Sequence, residues 1–195
     1  SVKTAERIYS CREKIADFFK YSHPENVIFT LNCTHSINTV LKGVLKKGDH
    51  VITSDLEHNA VIRPLESLKR NGIIEYDVAH VSFTDDNETV ENFRRKIKRE
   101  TTLIICTHAS NVTGFILPIK RLGALCKEHN ILFAVDAAQS AGIIDINIAE
   151  FGIDYLCVAP HKGLYAPMGV GVLVADKRID NVLIEGGTGS ASALS

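Results

Sequence analysis

Two hydrophobic periodicities alternate along this chain. Segments with apolar residues every three or four positions predict amphipathic helices, and short runs that are apolar at nearly every position predict strands buried on both faces. The predicted helices are 5–19, 34–45, 61–70, 88–98 and 118–129. The predicted strands are 26–31, 50–53, 73–81, 102–107, 131–135, 154–159 and 169–175.

Strands separated by helices predict an α/β fold, with three αβα layers around a mainly parallel sheet. A length of 195 residues is enough for one good-sized core, and we find no repeat or internal linker, so residues 1–195 are expected to form one domain. Ligands of such sheets bind beyond the carboxyl ends of the strands, so the residues that follow each strand are the candidates for chemistry.

Composition removes several classes of function. The 22 basic and 23 acidic residues are spread along the chain, which argues against a nucleic acid or an anionic membrane as partner. The densest basic run, 94–99, is expected on a solvated helix face. Five widely spaced cysteines without a Cys-X-X-Cys pair indicate a reducing compartment and no metal site.

The ends of the chain give two further expectations. There is no signal peptide and no apolar run long enough to span a bilayer, so a cytoplasmic protein is expected. The chain lacks an initiating Met and stops in a tail of small residues, 186–195, so we expect it to be part of a longer polypeptide.

Thr34 and His58 each follow a predicted strand. The hydroxyl of Thr34, at a helix start, would suit a phosphate group, although Thr34 taken alone is more often expected to serve only as the cap of that helix. His58 lies in a loop, where a single histidine is more often structural than catalytic. The loop 107–114 is richer in polar groups than a plain turn requires.

A carboxylate and a lysine follow two later strands. Asp136 comes directly after strand 131–135, where a carboxylate is costly unless it is paired, and Lys162 follows strand 154–159. Pyridoxal phosphate needs a lysine amine, a carboxylate for its pyridine nitrogen and a helix terminus for its phosphate. The glycine-rich turn of a dehydrogenase and a P-loop are both absent from the sequence.

Five segments together resemble the class V aminotransferase-fold enzymes, and most closely their cysteine desulfurase and selenocysteine lyase branch. In chain order they are 29–38 (Phe-Thr-Leu-Asn-Cys-Thr-His-Ser-Ile-Asn), Glu57-His58-Asn-Ala60, Ser110-Asn111-Val-Thr-Gly114, 135–140 (Val-Asp-Ala-Ala-Gln-Ser) and His161-Lys162. The resemblance covers essentially the whole chain. It implies the large, cofactor-binding domain of a pyridoxal-phosphate-dependent transferase of fold type I, like that of aspartate aminotransferase, without the smaller carboxyl-terminal domain.

The resemblance also implies roles for single residues. Lys162 would hold the cofactor as a Schiff base and shuttle the substrate proton, and His58 would stack on the ring and assist proton transfer. Asp136 would pair with the pyridine nitrogen, while Gln139 and Asn111 would lie near the ring hydroxyl. The positions that match the surroundings of the phosphate are Cys33, Thr34 and His161.

Two departures from the family pattern stand out. Ala159-Pro160 replaces a hydroxyl residue and a glycine before His161-Lys162, so a phosphate ligand is expected to be lost. The family's nucleophilic cysteine and its carboxylate-binding arginine match no position in the chain, and Cys106, Cys126 and Cys157 are expected in the core.

The implied function is a homodimeric enzyme that removes sulfur or selenium from L-cysteine or L-selenocysteine to give L-alanine, and that passes the sulfur to an acceptor protein. Two alternatives stay open at this point. One is an aminotransferase or another pyridoxal-phosphate lyase on the same fold. The other is a non-catalytic scaffold, against which the joint presence of Lys162, Asp136, Gln139 and His58 argues.

Overall fold

Seven strands form one sheet in the computed structural model, which describes residues 2–181 and 183–184. The strands are β1 (Val27–Thr30), β2 (Asp49–Ser54), β3 (Ile74–Ala79), β4 (Thr101–Thr107), β5 (Leu132–Asp136), β6 (Tyr155–Val158) and β7 (Gly171–Ala175). Their order across the sheet is β1-β7-β6-β5-β4-β2-β3. β7 runs antiparallel to both of its neighbours and the other strands are parallel, so the predicted mainly parallel sheet is confirmed. The tail 186–195 lies outside the described residues.

Helices cover both faces of this sheet. They are α1 (Val2–Phe18), α2 (Cys33–Val44), α3 (Asn59–Arg70), α4 (Asp86–Arg94), α5 (Ile119–His129) and α6 (Ile148–Phe151), with a short 3₁₀ turn at Pro24–Asn26. Alternate residues of β4 point to opposite faces: Leu103 and Ile105 pack with α2 and α3, whereas Ile104 and Cys106 pack with α4 and α5. The predicted αβα layers are therefore confirmed.

Helices α4 and α6 differ from the prediction. α4 ends at Arg94 instead of residue 98, and the guanidinium of Arg94 forms a bidentate pair with Glu128 of α5 at 2.9 and 3.0 Å. The four-residue helix α6 is not predicted because it is too short to show a hydrophobic period, and only Ile148 of it is buried. Its cap is Asn147, whose side chain accepts a hydrogen bond from the Glu150 amide.

The cysteines are free thiols. Cys106, Cys126 and Cys157 are buried in the core as predicted, and Cys11 is exposed on α1. In the described part of the chain, no helix has both the length and the hydropathy that crossing a membrane requires.

Candidate active site

One cavity at the carboxyl edge of the sheet brings together all the residues that the sequence singles out. They are Cys33, Thr34, His58, Asn111, Asp136, Gln139, His161 and Lys162. They follow the ends of β1, β2, β4, β5 and β6, which are parallel strands and therefore end at the same edge. Residues far apart in sequence thus line one cavity.

Asp136 supplies a buried carboxyl group to this cavity. It is the last residue of β5 and is 4% exposed. Its Oδ1 accepts hydrogen bonds from the Ala138 amide at 2.9 Å and from the Cys33 thiol at 3.5 Å. Burial raises the pKa of Asp136, whereas these two bonds and the charges of Lys162 and His58 lower it. Oδ2 makes no hydrogen bond within the described residues, so it remains available to a cationic ligand.

Lys162 lies in the turn after β6 with its amine exposed. The turn is closed by a hydrogen bond from the Lys162 amide to the Ala159 carbonyl, at 3.1 Å. It packs backbone to backbone against the loop after β5: a Cβ on Gly163 would lie 2.3 Å from the Ala141 carbonyl oxygen, and one on Gly142 would lie 2.4 Å from the Gly163 carbonyl oxygen. This close approach fixes the loop of Lys162 against the loop that follows Asp136.

The first turn of α2 lies on another side of the cavity. The cap of this helix is Asn32, whose side chain accepts from the His35 amide at 2.9 Å, so the alternative in which Thr34 is the cap is wrong. Thr34 is the second residue of the helix and lies in its first turn, where amides have no intrahelical acceptor. Nδ1 of His161 is buried and has no hydrogen-bond partner among residues 2–181 and 183–184. These groups could bind an anion such as a phosphate.

His58 caps α3 and faces the cavity. Its Nδ1 accepts a hydrogen bond from the Ala60 amide at 3.1 Å, which places the proton of the neutral ring on Nε2. This cap also explains why α3 begins at Asn59, two residues before the predicted start.

The polar loop after β4 presents Asn111. The hydroxyl of Ser110 accepts from the amides of Val112 and Thr113, each at 3.3 Å, and the Gly114 amide donates to the Ser110 carbonyl at 2.9 Å. Gly114 has a φ of +70°, which favours glycine. The polar residues of this loop therefore build its turn and leave the Asn111 side chain at the cavity.

Glu57 is half-buried but carries a buried carboxyl group, for which the sequence predicts no role. Its Oε1 accepts hydrogen bonds from the Thr107 amide at 2.9 Å and from the Ser54 hydroxyl. Burial raises the pKa of Glu57 to about 8 even though these hydrogen bonds lower it. The one signal in the sequence is the position of Glu57 directly before His58.

We expect the stability of the chain to fall as the pH rises from about 4.5 to about 8, because the folded protein keeps a proton on Glu57 that the unfolded chain releases. The slope that this group contributes is at most about 1.4 kcal/mol per pH unit. Glu57→Gln keeps both hydrogen bonds and should flatten the profile when urea unfolding is measured across this range. An unchanged slope would show that Glu57 ionises normally.

Comparison with known proteins identifies the family. The sequence profile of the family described as aminotransferase class-V matches residues 1–194. The chain belongs to the class-V aminotransferases. Their cofactor is pyridoxal 5'-phosphate, as the sequence resemblance implies.

The class-V relatives are cysteine desulfurases. The chain is 35% identical over 181 residues to the mitochondrial cysteine desulfurase of Eremothecium gossypii, covering 90% of the chain and 36% of that protein. It is 37% identical to the cysteine desulfurase IscS of Dictyoglomus turgidum, covering 95% of the chain and 48% of that protein. The chain thus spans about half the length of these relatives, or less.

Solved structures agree with this assignment. SspA in complex with cysteine superposes with a TM-score of 0.85 at 30% identity, over 95% of this chain and 54% of that one. The apo cysteine desulfurase of Thermococcus onnurineus NA1 gives a TM-score of 0.84 at 30% identity, over 97% of this chain and 48% of that one. The predicted family, its desulfurase branch and fold type I are confirmed.

The cavity fits the cofactor of the class-V family. Asp136 Oδ2 and the amine of Lys162 make no hydrogen bond within the described part of the chain, and the buried Nδ1 of His161 has none either. A carboxylate, an amine and a helix terminus with a hydroxyl are the groups that the pyridine nitrogen, the aldehyde and the phosphate require.

Proposed function

We propose that this chain is the pyridoxal-phosphate-binding large domain of a cysteine desulfurase, which removes sulfur from L-cysteine and leaves L-alanine. The observation that carries the proposal is the single cavity lined by Lys162, Asp136, His58 and Thr34. The names of the relatives support cysteine as the substrate over the aminotransferase and scaffold alternatives. Selenocysteine, which carries the same amino and carboxyl groups, is the second substrate proposed.

Each side chain then has a chemical task. Bound pyridoxal phosphate supplies an electron sink for the bonds of the substrate α-carbon. The amine of Lys162 holds the cofactor and then moves a proton at that carbon. Asp136, ionised by its cationic partner, keeps the pyridine nitrogen protonated. His58 offers its Nε2 proton and a ring face at the cavity, and the hydroxyl of Thr34 binds the phosphate.

The thiolate that takes the sulfur belongs, in this proposal, outside the described residues. Cys33 is the one cysteine that lines the cavity, but its thiol donates to Asp136. Burial, and then the Asp136 carboxylate, raise the pKa of Cys33 well above its ordinary value, so it stays a neutral thiol. A neutral thiol is a poor nucleophile.

A homodimer and a sulfur-acceptor protein are the partners proposed. Two exposed apolar residues, Leu31 and Val112, are adjacent in the sequence to cavity residues, and two more, Tyr165 and Met168, follow Lys162 within the next six residues. Val112 and Tyr165 are 85% and 89% exposed, which is unusual for large apolar residues and supports a covering subunit beside the site.

The test of the proposed function is cysteine turnover by the natural full-length protein. With dithiothreitol present to reduce the transferred sulfur, it should release sulfide and alanine in equal amounts, and Cys33→Ser should leave the rate within about twofold because that thiol is protonated. The isolated chain of 195 residues should bind the cofactor weakly, if at all, and release neither product. Turnover by the isolated chain that Cys33→Ser abolishes would make Cys33 the nucleophile and overturn this part of the proposal.

Ala159→Ser should tighten cofactor binding. Ala159 is buried, lines the cavity and replaces the hydroxyl that the family resemblance leads one to expect. One added hydrogen bond to a charged phosphate should lower the dissociation constant by about tenfold. A fluorescence titration measures this constant, and Ala138→Ser, also in the cavity wall, is the matched control. Equal affinity of Ala159→Ser and wild type would place the phosphate elsewhere.

A further inference from the structure

The side chain of Glu57 joins the end of β2 to the end of β4. The last residues paired between these strands are Thr53 and Ile105, and β2 ends one residue later, at Ser54. Two residues beyond Ile105, the Thr107 amide donates to Oε1 of Glu57 at 2.9 Å. The carboxyl oxygen therefore acts as the acceptor that a longer β2 would supply, and the Ser54 hydroxyl donates to the same oxygen.

We propose that Glu57 is a positioning residue for the cofactor site, an inference that rests on the proposed function. Its hydrogen bonds fix one side of His58, the next residue, while the capping bond to Ala60 fixes the other side. They also fix Thr107, which lines the cavity and pairs with Asp136 in the register of β4 and β5. The Glu57 side chain thus sets the positions of His58 and of the end of β4, the strand that pairs with Asp136.

The protonated form of Glu57 suits this task. Burial, together with the nearby Asp136 carboxylate, raises the pKa of Glu57 to about 8, so the group is mostly a neutral acid near pH 7. Oε2 is buried and has no hydrogen-bond partner among the residues that the structure describes. A neutral acid ties the strand ends together without a second negative charge that would compete with Asp136 for a ring cation.

Glu57→Gln and Glu57→Ala in the natural full-length protein separate the role of the hydrogen bonds from that of the ionisable carboxyl group. Glutamine keeps both accepted bonds, so the dissociation constant for pyridoxal phosphate should stay within about twofold of wild type. Alanine leaves the Thr107 amide without its acceptor, so the constant should rise about tenfold or more. Hydrogen exchange of the Thr107 amide, measured without cofactor, should accelerate in the alanine variant and not in the glutamine variant.

Asp154→Ala is a matched control at the opposite end of the sheet. Its carboxylate also accepts a hydrogen bond from the backbone amide of a strand residue, Phe133, at 2.8 Å. Burial also raises the pKa of Asp154. This variant should lose stability and yet bind the cofactor as wild type does, because the cavity does not contain Asp154.

The outcomes distinguish the two proposals. A wild-type protein that binds no pyridoxal phosphate overturns the proposed function and the inference together. Normal binding by Glu57→Ala, or a loss in Glu57→Gln as large as in Glu57→Ala, overturns only the inference. If Glu57→Ala does not fold, Ser54→Ala removes one of the two bonds and should weaken binding about threefold. An unchanged constant in Ser54→Ala would then reject the positioning role.

Discussion

Lys162→Ala is expected to abolish the covalent attachment of pyridoxal phosphate and to lower cysteine turnover by about 10²–10⁴-fold or more, because the variant lacks the amine that holds the cofactor and moves the substrate proton. Borohydride reduction of the wild-type holoenzyme, followed by peptide mapping, should label Lys162. The structure supports this assignment through the exposed amine in the cavity, which makes no hydrogen bond within the described residues.

Lys42→Ala is the control for this experiment. Lys42 lies on α2 and lines a groove that also contains His58 and Thr34, so it is a neighbouring exposed amine. It should remain unlabelled, and its replacement should leave both attachment and turnover unchanged. A Lys162→Ala protein that is still yellow, and is labelled at another lysine, would contradict the assignment.

Asp136→Asn is expected to slow turnover of the full-length enzyme by at least about 10²-fold while the cofactor still binds. An amide cannot provide the negative charge that keeps a pyridine nitrogen protonated. The affinity of the wild type should also fall as the pH falls through the pKa of Asp136, because the carboxylate is the form that pairs with a pyridinium. The asparagine variant should lack this pH dependence in a cofactor titration.

Asp154→Asn controls for the removal of a carboxylate that is at least half-buried and accepts a backbone hydrogen bond. Burial raises the pKa of both carboxyl groups, and each accepts a hydrogen bond from a backbone amide. Asp154, however, lies at the amino end of the sheet, away from the cavity. The control should retain its turnover. Near-normal turnover by Asp136→Asn would remove Asp136 from the proposed role.

The sequence predicts the central strands of the sheet well. β4 and β5 fall within one residue of their predicted bounds because both faces of each strand are buried, which makes the runs almost wholly apolar. The gathering of Thr34, Asp136 and Lys162 in one cavity is predictable for a related reason: parallel strands end at one edge, and that edge is the ligand-binding side.

Features that depend on tertiary register are not visible in the sequence. Asn32 and Thr34 are both good capping residues, and only the backbone shows that Asn32 is the one outside the helix. The contact between Glu57 and Thr107 depends on β2 ending before β4 does. The hydrophobic pattern of each strand taken alone does not show that β2 ends before β4.

The close approach of Gly142 and Gly163 bears on how a map of mutational sensitivity for this protein should be interpreted. Any side chain at either position would collide with backbone, and Gly142 also has a φ of +87°, so nearly all substitutions there should be depleted in a selection for activity. Their depletion would equal that of Lys162, although a glycine brings no side chain to a ligand. A parallel selection for protein abundance separates the two kinds of intolerance, since Lys162 variants should remain abundant and the glycine variants should not.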